Sequence, residues 1–382
     1  MQPKKISFLT TGHNPLDDRI FYHLSRTFAD HGWSVEIISS KSDLHTNIDG
    51  ISLNCFSDTG IKKKEKIRIL IDKLNKFNPD LVICSEPLPI LAARQFSKKR
   101  RKKIRIIYDI TEWYPSKKNL ENTPLFLRWF IFIKLIIFNI LASSMADAFI
   151  FGEWYKSRPY RILFPFKPYI FIPYYPDSKY IPAIQPELQK NKLRLSYSGK
   201  ISLEKGFGNF INVVKRLANK NTDLRIEVKI IGWYNSRKDR SECEYLMTFP
   251  QTNISVTLYE KQPFQDFINL ISDSDIFIDL RKKDFENERC LPIRIFYYAA
   301  LGRPVIITDL KSVRREVELD KFGFAADPTD EIKIARFITN YLGNRELYLK
   351  HCGEARLLFE NKYNWSSIKN RLTDFVNEIS AN

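Results

Sequence analysis

The sequence predicts an α/β protein of two domains, each built on a parallel sheet covered by helices. The chain has 382 residues, more than one hydrophobic core usually holds, and 44% of them are hydrophobic. Short β-branched runs alternate with amphipathic helical segments, which is typical of βαβ units. The alternation stops in a stretch rich in proline and aromatic residues, 165–186, and then starts again.

Ten strands are predicted, five on each side of this break. The first half has strands at 5–10, 34–39, 80–84, 104–109 and 148–151, and the second at 194–198, 225–231, 254–258, 275–279 and 304–308. We place the junction near residue 176. This gives an N-terminal domain at 1–175, a C-terminal domain at 176–364 and a last helix, 365–382, packed back on the N-terminal domain.

The charge of the chain predicts an anionic partner. Lysine and arginine number 61 and the acidic residues 44, a formal net charge of +17, which favours a membrane surface, a nucleic acid or a phosphorylated ligand. We expect no nucleic-acid partner, because the sequence has no helix-turn-helix, zinc finger or aromatic strand platform. The five cysteines form no CxxC pair, which argues against a disulfide framework and a metal site.

The N-terminal segment predicts a cytoplasmic protein. Lysines there are followed by a strand-like run of only six residues before Gly12, which is too short for the core of a signal peptide.

Residues 125–142 form the most apolar segment and allow two interpretations. Only Arg128, Lys134 and Asn139 interrupt it. It is either a buried core helix or a helix partly sunk in the membrane interface, where its cations and the basic cluster at 98–103 meet anionic headgroups. A transmembrane span is rejected, because it would separate two strands of one sheet.

Two lysines flank a loop after the first strand of the second half. We expect the chain to turn at Gly199, pass Lys200 and Lys205 and enter a helix near Gly206. Two cations beside a helix N-terminus neutralise a diphosphate, and such contacts contribute about 1.5–3 kcal/mol each. The alternative is a pair of solvated loop lysines.

Residues 291–309 predict a second phosphate-binding element. Pro292 opens a helix, Gly302 closes it and a buried strand follows. The free amides and the positive end of such a helix favour an anionic group.

These segments, in this order, resemble the family 4 glycosyltransferases over about residues 5–360. The run from Tyr197 to Gly206 is similar to the family's Tyr-x-Gly-Arg…Lys-Gly element, and 291–309 is similar to its donor-sugar motif. The resemblance implies the GT-B fold, with two facing Rossmann-like domains that close over the substrates. It also implies a retaining, metal-independent hexosyltransferase with no tightly bound cofactor. The donor would be a UDP- or GDP-sugar, and the acceptor a saccharide or lipid-linked molecule in bacterial-type cell-surface polysaccharide or glycolipid synthesis.

The resemblance also assigns roles to individual residues. Those implied in donor binding are Gly12, Gly199, Lys200, Lys205, Gly232, Trp233, Leu291, Pro292, Ile293 and Tyr297. Those implied in the acceptor site are His13, Asp18, Arg19, Asp109 and Glu112. Those nearest the chemistry are Lys200, Lys205, Thr111 and Glu288.

The chain departs from the family's pattern near the chemistry. Lys200 replaces an arginine and loses its bidentate fork, and Thr111 replaces a histidine. Arg289 and Tyr297 replace two glutamates. Two interpretations of the nearby Glu286 and Glu288 stay open: the loop brings one of them into the first of these places, or both are solvated charges of an exposed loop. A second interpretation is therefore a non-catalytic relative that binds a nucleotide or saccharide, or a partner subunit of a glycan assembly complex.

Three of these residues also have ordinary structural interpretations. Asp18 is a candidate cap for a helix at 19–31, Tyr297 a candidate core aromatic, and Trp233 either stacks on a base or packs on its own domain.

Overall fold

The computed structural model describes residues 3–100, 104–121 and 123–381. Contacts divide the chain into two compact units, one formed by Met1–Tyr174 with Ile368–Asn382 and the other by Tyr175–Ser367. Within the predicted basic cluster, Arg101, Lys102 and Lys103 lie outside the described residues.

The first unit is a mostly parallel sheet with helical connections. Its strands are β1 Lys5–Thr10, β2 Ser34–Ser39, β3 Lys41–Ile48, β4 Ile51–Ser57, β5 Leu81–Cys84, β6 Arg105–Ile110, β7 Ala148–Phe151 and β8 Tyr169–Phe171. Its helices are α1 Arg26–Asp30, α2 Lys63–Phe77, α3 Pro87–Lys98, α4 Leu125–Met145 and α5 Trp154–Leu163, completed by a helix from the end of the chain, Lys369–Ala381. Within the described residues, the strand order is β3-β4-β2-β1-β5-β6-β7-β8, and the β3–β4 pair is antiparallel.

The second unit is a parallel sheet between helices. Its strands are β9 Lys192–Lys200, β10 Arg225–Trp233, β11 Ile254–Tyr259, β12 Ile276–Asp279, β13 Val305–Thr308 and β14 Gly323–Ala326. Its helices are α6 Phe207–Lys220, α7 Arg237–Leu246, α8 Phe264–Ile271, α9 Phe285–Glu288, α10 Arg294–Ala300, α11 Lys311–Glu316, α12 Glu331–Gly343 and α13 Arg345–Asn361; the helix Lys369–Ala381 is α14. In the part of the chain described, the order is β11-β10-β9-β12-β13-β14.

The apolar strands explain the buried sheets. Strands β5, β7, β12 and β13 have four residues each, and every one of these residues is buried. This is expected for parallel strands covered on both faces. In the second unit, residues of one sheet face, such as Val228 and Ile278, belong to a core with α6 and α12. Phe277 and Ile307, on the other face, belong to a second core with α10 and α13.

The α/β fold class is confirmed, and all ten predicted strands are present to within two residues at each end. Four strands were missed: β3, β4, β8 and β14. Because β8 lies inside the proline-rich stretch, the alternation continues further than the sequence analysis expected.

The helix expected at 19–31 is wrong in detail. The chain forms a π-helical segment, Asp18–Ser25, followed by the short α1. Its cap is Asp17 rather than Asp18, because the Asp17 carboxylate accepts from the amides of Arg19 at 3.0 Å and Ile20 at 3.4 Å.

Helix α4 is not a buried core helix. It is long and apolar enough to cross a membrane by length and composition alone, and only 11% of its most apolar window is buried. Its buried residues are Asn139, Ala142 and Ser143, all near one end.

Helix α14 belongs to the first unit. Leu372 and Val376 on this helix are buried, and Asn377 accepts a hydrogen bond from Lys4 Nζ at 3.3 Å.

Candidate functional site

In both units, the first strand lies where the strand order reverses. Strand β1 lies between β2 and β5, and β9 lies between β10 and β12. In open parallel sheets, ligands bind beyond the carboxyl ends of the strands at such points. Gly12 and His13 follow β1, and Lys205 follows β9. We therefore describe these two sheet edges, each within its own unit.

In the second unit, one tyrosine fixes the loop that carries both predicted lysines. The Tyr197 hydroxyl lies 2.8 Å from the carbonyl oxygen of Lys200 and 3.2 Å from that of Lys205. The Tyr197 ring is buried against Phe207 and Phe210 of α6. The loop backbone is therefore anchored to the core.

Lys205 points into a polar cluster at this edge. Its Nζ donates to Asn287 Oδ1 at 3.0 Å, and Asn287 is itself held by Asp284 and by the carbonyl of Lys282. Burial, together with the nearby positive charge of Arg281, lowers the pKa of Lys205. An anionic ligand placed here would relieve that cost of charge.

A buried carboxylate–guanidinium pair lies next to Lys205. Arg281 donates to Asp279 from Nε at 3.0 Å and from Nη2 at 2.6 Å. Although burial opposes ionisation, the two arginines Arg281 and Arg294 hold the pKa of Asp279 below its usual value. The pair is therefore charged, and its arginine is held in one orientation.

Arg294 adds another cation to the same edge. Its Nη1 donates to Ser198 Oγ at 3.0 Å, and its Nη2 lies 3.8 Å from Asp279. Ser198 is in turn 3.2 Å from the Tyr298 hydroxyl. This guanidinium is only half-buried, so it is accessible to a ligand.

Lys200 pairs with a carboxylate outside this cluster. Its Nζ lies 4.0 Å from the Asp239 carboxylate of α7. The structure thus groups Lys205 with Asp279, Arg281 and Arg294, and pairs Lys200 with Asp239.

Gly199 and Gly232 allow a close approach of backbones. The sequence predicted a turn at Gly199, and this is wrong. Gly199 lies in β9, opposite Gly232 of β10. A Cβ on Gly232 would lie 2.1 Å from the Gly199 carbonyl oxygen, and one on Gly199, whose φ is +104°, would lie 2.6 Å from Arg294 Nη1. Gly199 therefore leaves the space that Arg294 occupies, and Gly232 allows the two strands to approach each other closely.

Trp233 lies at the carboxyl end of β10 with 42% of its surface exposed. Its Nε1 donates to Asn235 at 3.0 Å, and Lys261 Nζ lies 5.4 Å from the ring centroid. An oriented, exposed ring suits stacking against a base.

The segment around Pro292 differs from its predicted form. Helix α10 starts at Arg294 rather than Pro292 and has only seven residues, although the Pro292 carbonyl already accepts from the Ile295 amide at 2.9 Å. Leu291 is buried and Ile293 is the cap. Gly302 ends the helix with a φ of +64°, as predicted.

Tyr297 and Glu288 were expected near the donor. Tyr297 lies in the hydrophobic core with its ring centroid 5.8 Å from that of Phe264. Glu288 pairs with Lys311 at 2.9 Å and lies 3.8 Å from Arg289. Its carboxylate is therefore neutralised by two cations.

At the edge of the first unit, one carboxylate accepts hydrogen bonds from the backbone amides that follow β1. Glu86 accepts from the amides of Thr11 at 2.7 Å and Gly12 at 3.1 Å, and from Thr10 Oγ1 at 2.8 Å. Burial raises the pKa of Glu86. The Gly12 amide, implied to lie against donor phosphates, thus serves Glu86 in this structure.

His13 lies beside the same carboxylate. Its Nδ1 is 3.4 Å from Asp17, and its Nε2 is 3.6 Å from Glu86. Burial opposes its charge, but Asp17, Glu86 and the exposed Glu112 outweigh this and raise the pKa of His13 to about 9. His13 is therefore an imidazolium at neutral pH.

Arg19 and Asp109 form a buried ion pair. Arg19 donates to Asp109 from Nε at 2.8 Å and from Nη2 at 2.7 Å, and to the Ile172 carbonyl at 2.9 Å. Its guanidinium stacks on the Tyr174 ring at 4.3 Å. With 2% and 0% of their side chains exposed, these two residues hold the loop in position, which differs from the acceptor contact that the resemblance implied.

Thr111 is buried at the end of β6. Its carbonyl accepts from Lys156 Nζ at 2.6 Å, and Lys156 is paired with Glu153 at 2.6 Å. Asp18 is half-buried, with its carboxylate 2.9 Å from the Arg19 amide.

Four site residues were missed by the sequence analysis: Glu86, Asp279, Arg281 and Arg294. Glu86, Asp279 and Arg281 each lie at or just after the end of a buried strand. A charged residue at such a position is a sequence signal for a binding site, and it could have identified these three. Nothing local marks Arg294, whose contacts come from Ser198 in β9 and Asp279 in β12. Among the residues described, no group of three or more His, Cys, Asp or Glu side chains is placed to hold a metal ion.

Comparisons with known proteins give one family match. Residues 183–357 match the family described as Glycosyl transferases group 1. No curated protein sequence matches the chain significantly.

Solved structures share the fold over the whole chain. Sucrose-phosphate synthase from Thermosynechococcus elongatus is 12% identical with a TM-score of 0.73, and 99% of each chain is covered. Anabaena HepE, in complex with UDP and glucose, is 11% identical with a TM-score of 0.72, covering 98% of this chain and 100% of that one. WaaG, a glycosyltransferase involved in lipopolysaccharide biosynthesis, is 12% identical with a TM-score of 0.68, covering 97% and 98%.

The strand orders and these matches lead to one conclusion: the chain has the GT-B fold, and residues 183–357 of its second unit are similar to the glycosyl transferases group 1.

Proposed function

We propose that the protein is a retaining, metal-independent glycosyltransferase that moves a sugar from a nucleotide-diphosphate donor to a saccharide or lipid-linked acceptor. A UDP- or GDP-sugar would be the donor, and the second unit would bind it. The product would enter a cell-surface polysaccharide or glycolipid. The observation that carries the proposal is the grouping of Lys205, Arg281 and Arg294 beyond β9 and β12, in the region that matches the family.

The charges of this group suit a diphosphate. Two arginines, Arg281 and Arg294, lie beside one buried carboxylate, Asp279, and the nearby Lys205 is 3.9 Å from Glu204. The positive charge left over favours an anion, and the half-buried setting strengthens the attraction relative to bulk water. Negative charge grows on the leaving diphosphate as the glycosidic bond breaks, so these fixed cations stabilise the transition state more than the ground state.

Donor turnover with a matched pair of lysine variants tests the proposal. Purified protein is incubated with UDP- and GDP-sugars, and nucleotide release is measured with and without a chelator. We expect Lys205→Ala to lower kcat/KM for the donor by about 10- to 100-fold, the loss of one charge-assisted contact. Lys205→Arg should recover part of it.

Lys215→Ala, on the outer part of α6, is the control and should retain wild-type activity. The proposal fails if no nucleotide sugar binds or turns over, or if Lys205→Ala behaves like Lys215→Ala. Loss of activity with a chelator would contradict the metal independence of the enzyme but not the proposed sugar transfer.

The neutralised Glu288 carboxylate favours a second candidate, a non-catalytic nucleotide- or saccharide-binding relative or a partner subunit of a glycan assembly complex. Its pairing with Lys311 and Arg289 leaves it poorly placed to contact a sugar. This candidate predicts a thermal shift with UDP or GDP but no turnover with any acceptor. Turnover would exclude it.

A further inference from the structure

Helix α4 exposes a continuous row of large apolar side chains. We call Phe126, Trp129, Phe130, Ile133, Ile137 and Leu141 the apolar stripe; all six are exposed. Phe126, Phe130, Ile133, Ile137 and Leu141 recur every three or four residues, and Trp129 lies three residues after Phe126, so all six lie on one broad face of the helix. At a rise of about 1.5 Å per residue, the stripe is roughly 22 Å long.

The opposite face of α4 fixes the direction of the stripe. Asn139, Ala142 and Ser143 are buried there. Asn139 Nδ2 donates to the Tyr160 hydroxyl at 2.9 Å and lies 3.3 Å from the Tyr114 carbonyl. Because these contacts hold one face against the first unit, the apolar stripe points away from the core of that unit.

A neighbouring loop extends the apolar surface. Lys167 Nζ donates to the carbonyls of Ser143 at 2.8 Å and Ser144 at 2.7 Å, which ties the loop after α5 to the end of α4. Phe166, the residue before this anchor, is 97% exposed, and Ile162 is exposed as well. The loop therefore presents an aromatic ring beside the end of the helix.

The charges of these segments identify the partner. Residues 125–145 and 154–176 contain six lysines and arginines and no acidic residue. Arg128, Lys134 and Arg158 are exposed. A second copy of the chain docked on this surface would bring like charges together, whereas anionic lipid headgroups would be attracted.

The topology determines how the helix meets a bilayer. Helix α4 connects β6 and β7, which are adjacent and parallel in one sheet. Both of its ends are therefore held by the sheet, and the helix cannot cross a bilayer. Side chains that protrude as far as Phe126, 82% exposed, and Phe166 suit insertion into a fluid medium rather than contact with a flat protein surface.

We propose that the apolar stripe and Phe166 bind the surface of a bilayer that contains anionic lipids. Helix α4 lies parallel to the membrane plane, its aromatic and aliphatic side chains enter the boundary between headgroups and acyl chains, and Lys134 and Arg158 contact the headgroups. This places the protein on a membrane without a spanning segment. The proposal concerns membrane binding and is tested without measuring sugar transfer.

Vesicle flotation with two matched double variants tests the proposal. Ile137→Asp/Leu141→Asp changes the stripe, and Ile332→Asp/Leu357→Asp changes two side chains of the second unit with almost the same exposure, 53% and 53% against 52% and 52%. With vesicles of phosphatidylcholine and phosphatidylglycerol, we expect wild-type protein and the control variant to float. The partition coefficient of the stripe variant onto these vesicles should be at least about tenfold lower than that of wild type. Phosphatidylcholine alone or high salt should weaken wild-type binding.

Fluorescence of Trp129 supplies a readout independent of flotation. Its emission should shift to shorter wavelength when anionic vesicles are added, and Trp129→Phe should lose that shift. Equal flotation of the two double variants overturns the proposal, as does an unchanged shift in Trp129→Phe. So does a wild-type dimer that the stripe variant dissociates without any vesicle binding, because the stripe would then be an interface between copies.

Discussion

Arg19 joins three separate parts of the first unit through one guanidinium. It contacts Asp109 at the end of β6, the Ile172 carbonyl after β8 and the Tyr174 ring. The loop after β1, which carries His13, therefore owes its position to contacts distant in sequence. The resemblance implied Arg19 in the acceptor site, but its burial depends on contacts between strands that the sequence does not reveal.

Replacing Arg19 should be costly. Arg19→Ala leaves the Asp109 carboxylate buried without a partner, and we expect the first unit to lose about 3–5 kcal/mol. Arg68→Ala, which removes an exposed pair with Glu65, should cost less than about 1 kcal/mol. Native-state hydrogen exchange of β6 amides measures both, since a two-unit chain need not unfold in one step. Equal losses would contradict the structural role of Arg19.

His13 should make stability depend on pH. Its pKa is raised from its ordinary value of 6.5 to about 9 in the folded protein, so its contribution is fully present below pH 6.5 and is lost as the pH rises through 9. The shift corresponds to roughly 1–3 kcal/mol after allowance for its partial exposure.

The comparison needed is urea unfolding of wild type and His13→Gln from pH 6 to 10. The difference between the two proteins should shrink across this range, which isolates His13 from other groups that titrate there. A difference that is constant or grows with pH would mean that Asp17 and Glu86 do not stabilise the imidazolium.

At the scale of elements, strands buried on both faces were predictable, whereas the exposed edge strand β3 was not. Apolar runs such as 148–151 matched to the residue, because burial on both faces demands apolar residues throughout. Strand β3 has mostly exposed side chains and no apolar alternation, so its antiparallel pairing with β4 was missed. The Asp49-Gly50 turn between them, with φ of +50° and +80°, was the available hairpin signal.

The Gly199–Gly232 approach gives a prediction for the β9–β10 pair. Gly232→Ala would place a methyl group 2.1 Å from a backbone oxygen, so the strands must separate, and we expect a loss of at least about 2 kcal/mol. Gly353→Ala, inside α13 with no atom within 4 Å of its Cβ, should instead stabilise by about 0.5–1 kcal/mol. Thermal unfolding of the two variants tests the difference in sign. A neutral Gly232→Ala would show that this strand pair tolerates separation.

At the scale of the whole molecule, the chain returns to complete the unit in which it began. Helix α14 belongs to the first unit, although it follows the second in sequence. Leu372→Ala should therefore destabilise the first unit by about 2–5 kcal/mol and leave exchange in the second unit nearly unchanged. The exposed Leu349→Ala in α13 is the control and should change either unit by less than about 1 kcal/mol. The assignment of α14 to the first unit would be refuted if Leu372→Ala accelerated amide exchange, relative to wild type, more in β9 and β12 than in β1 and β5.

The position of α14 also affects the order of events on the ribosome. The second unit can fold as soon as it emerges, but the first must wait for a segment translated about 200 residues after its own strands, roughly 10–40 s at ordinary rates of synthesis. During that time the apolar surface that Leu372 and Val376 later cover stays open to other molecules in the cell. The N-terminal half is therefore synthesised first and finished last, and chaperones have their longest opportunity to act on that half.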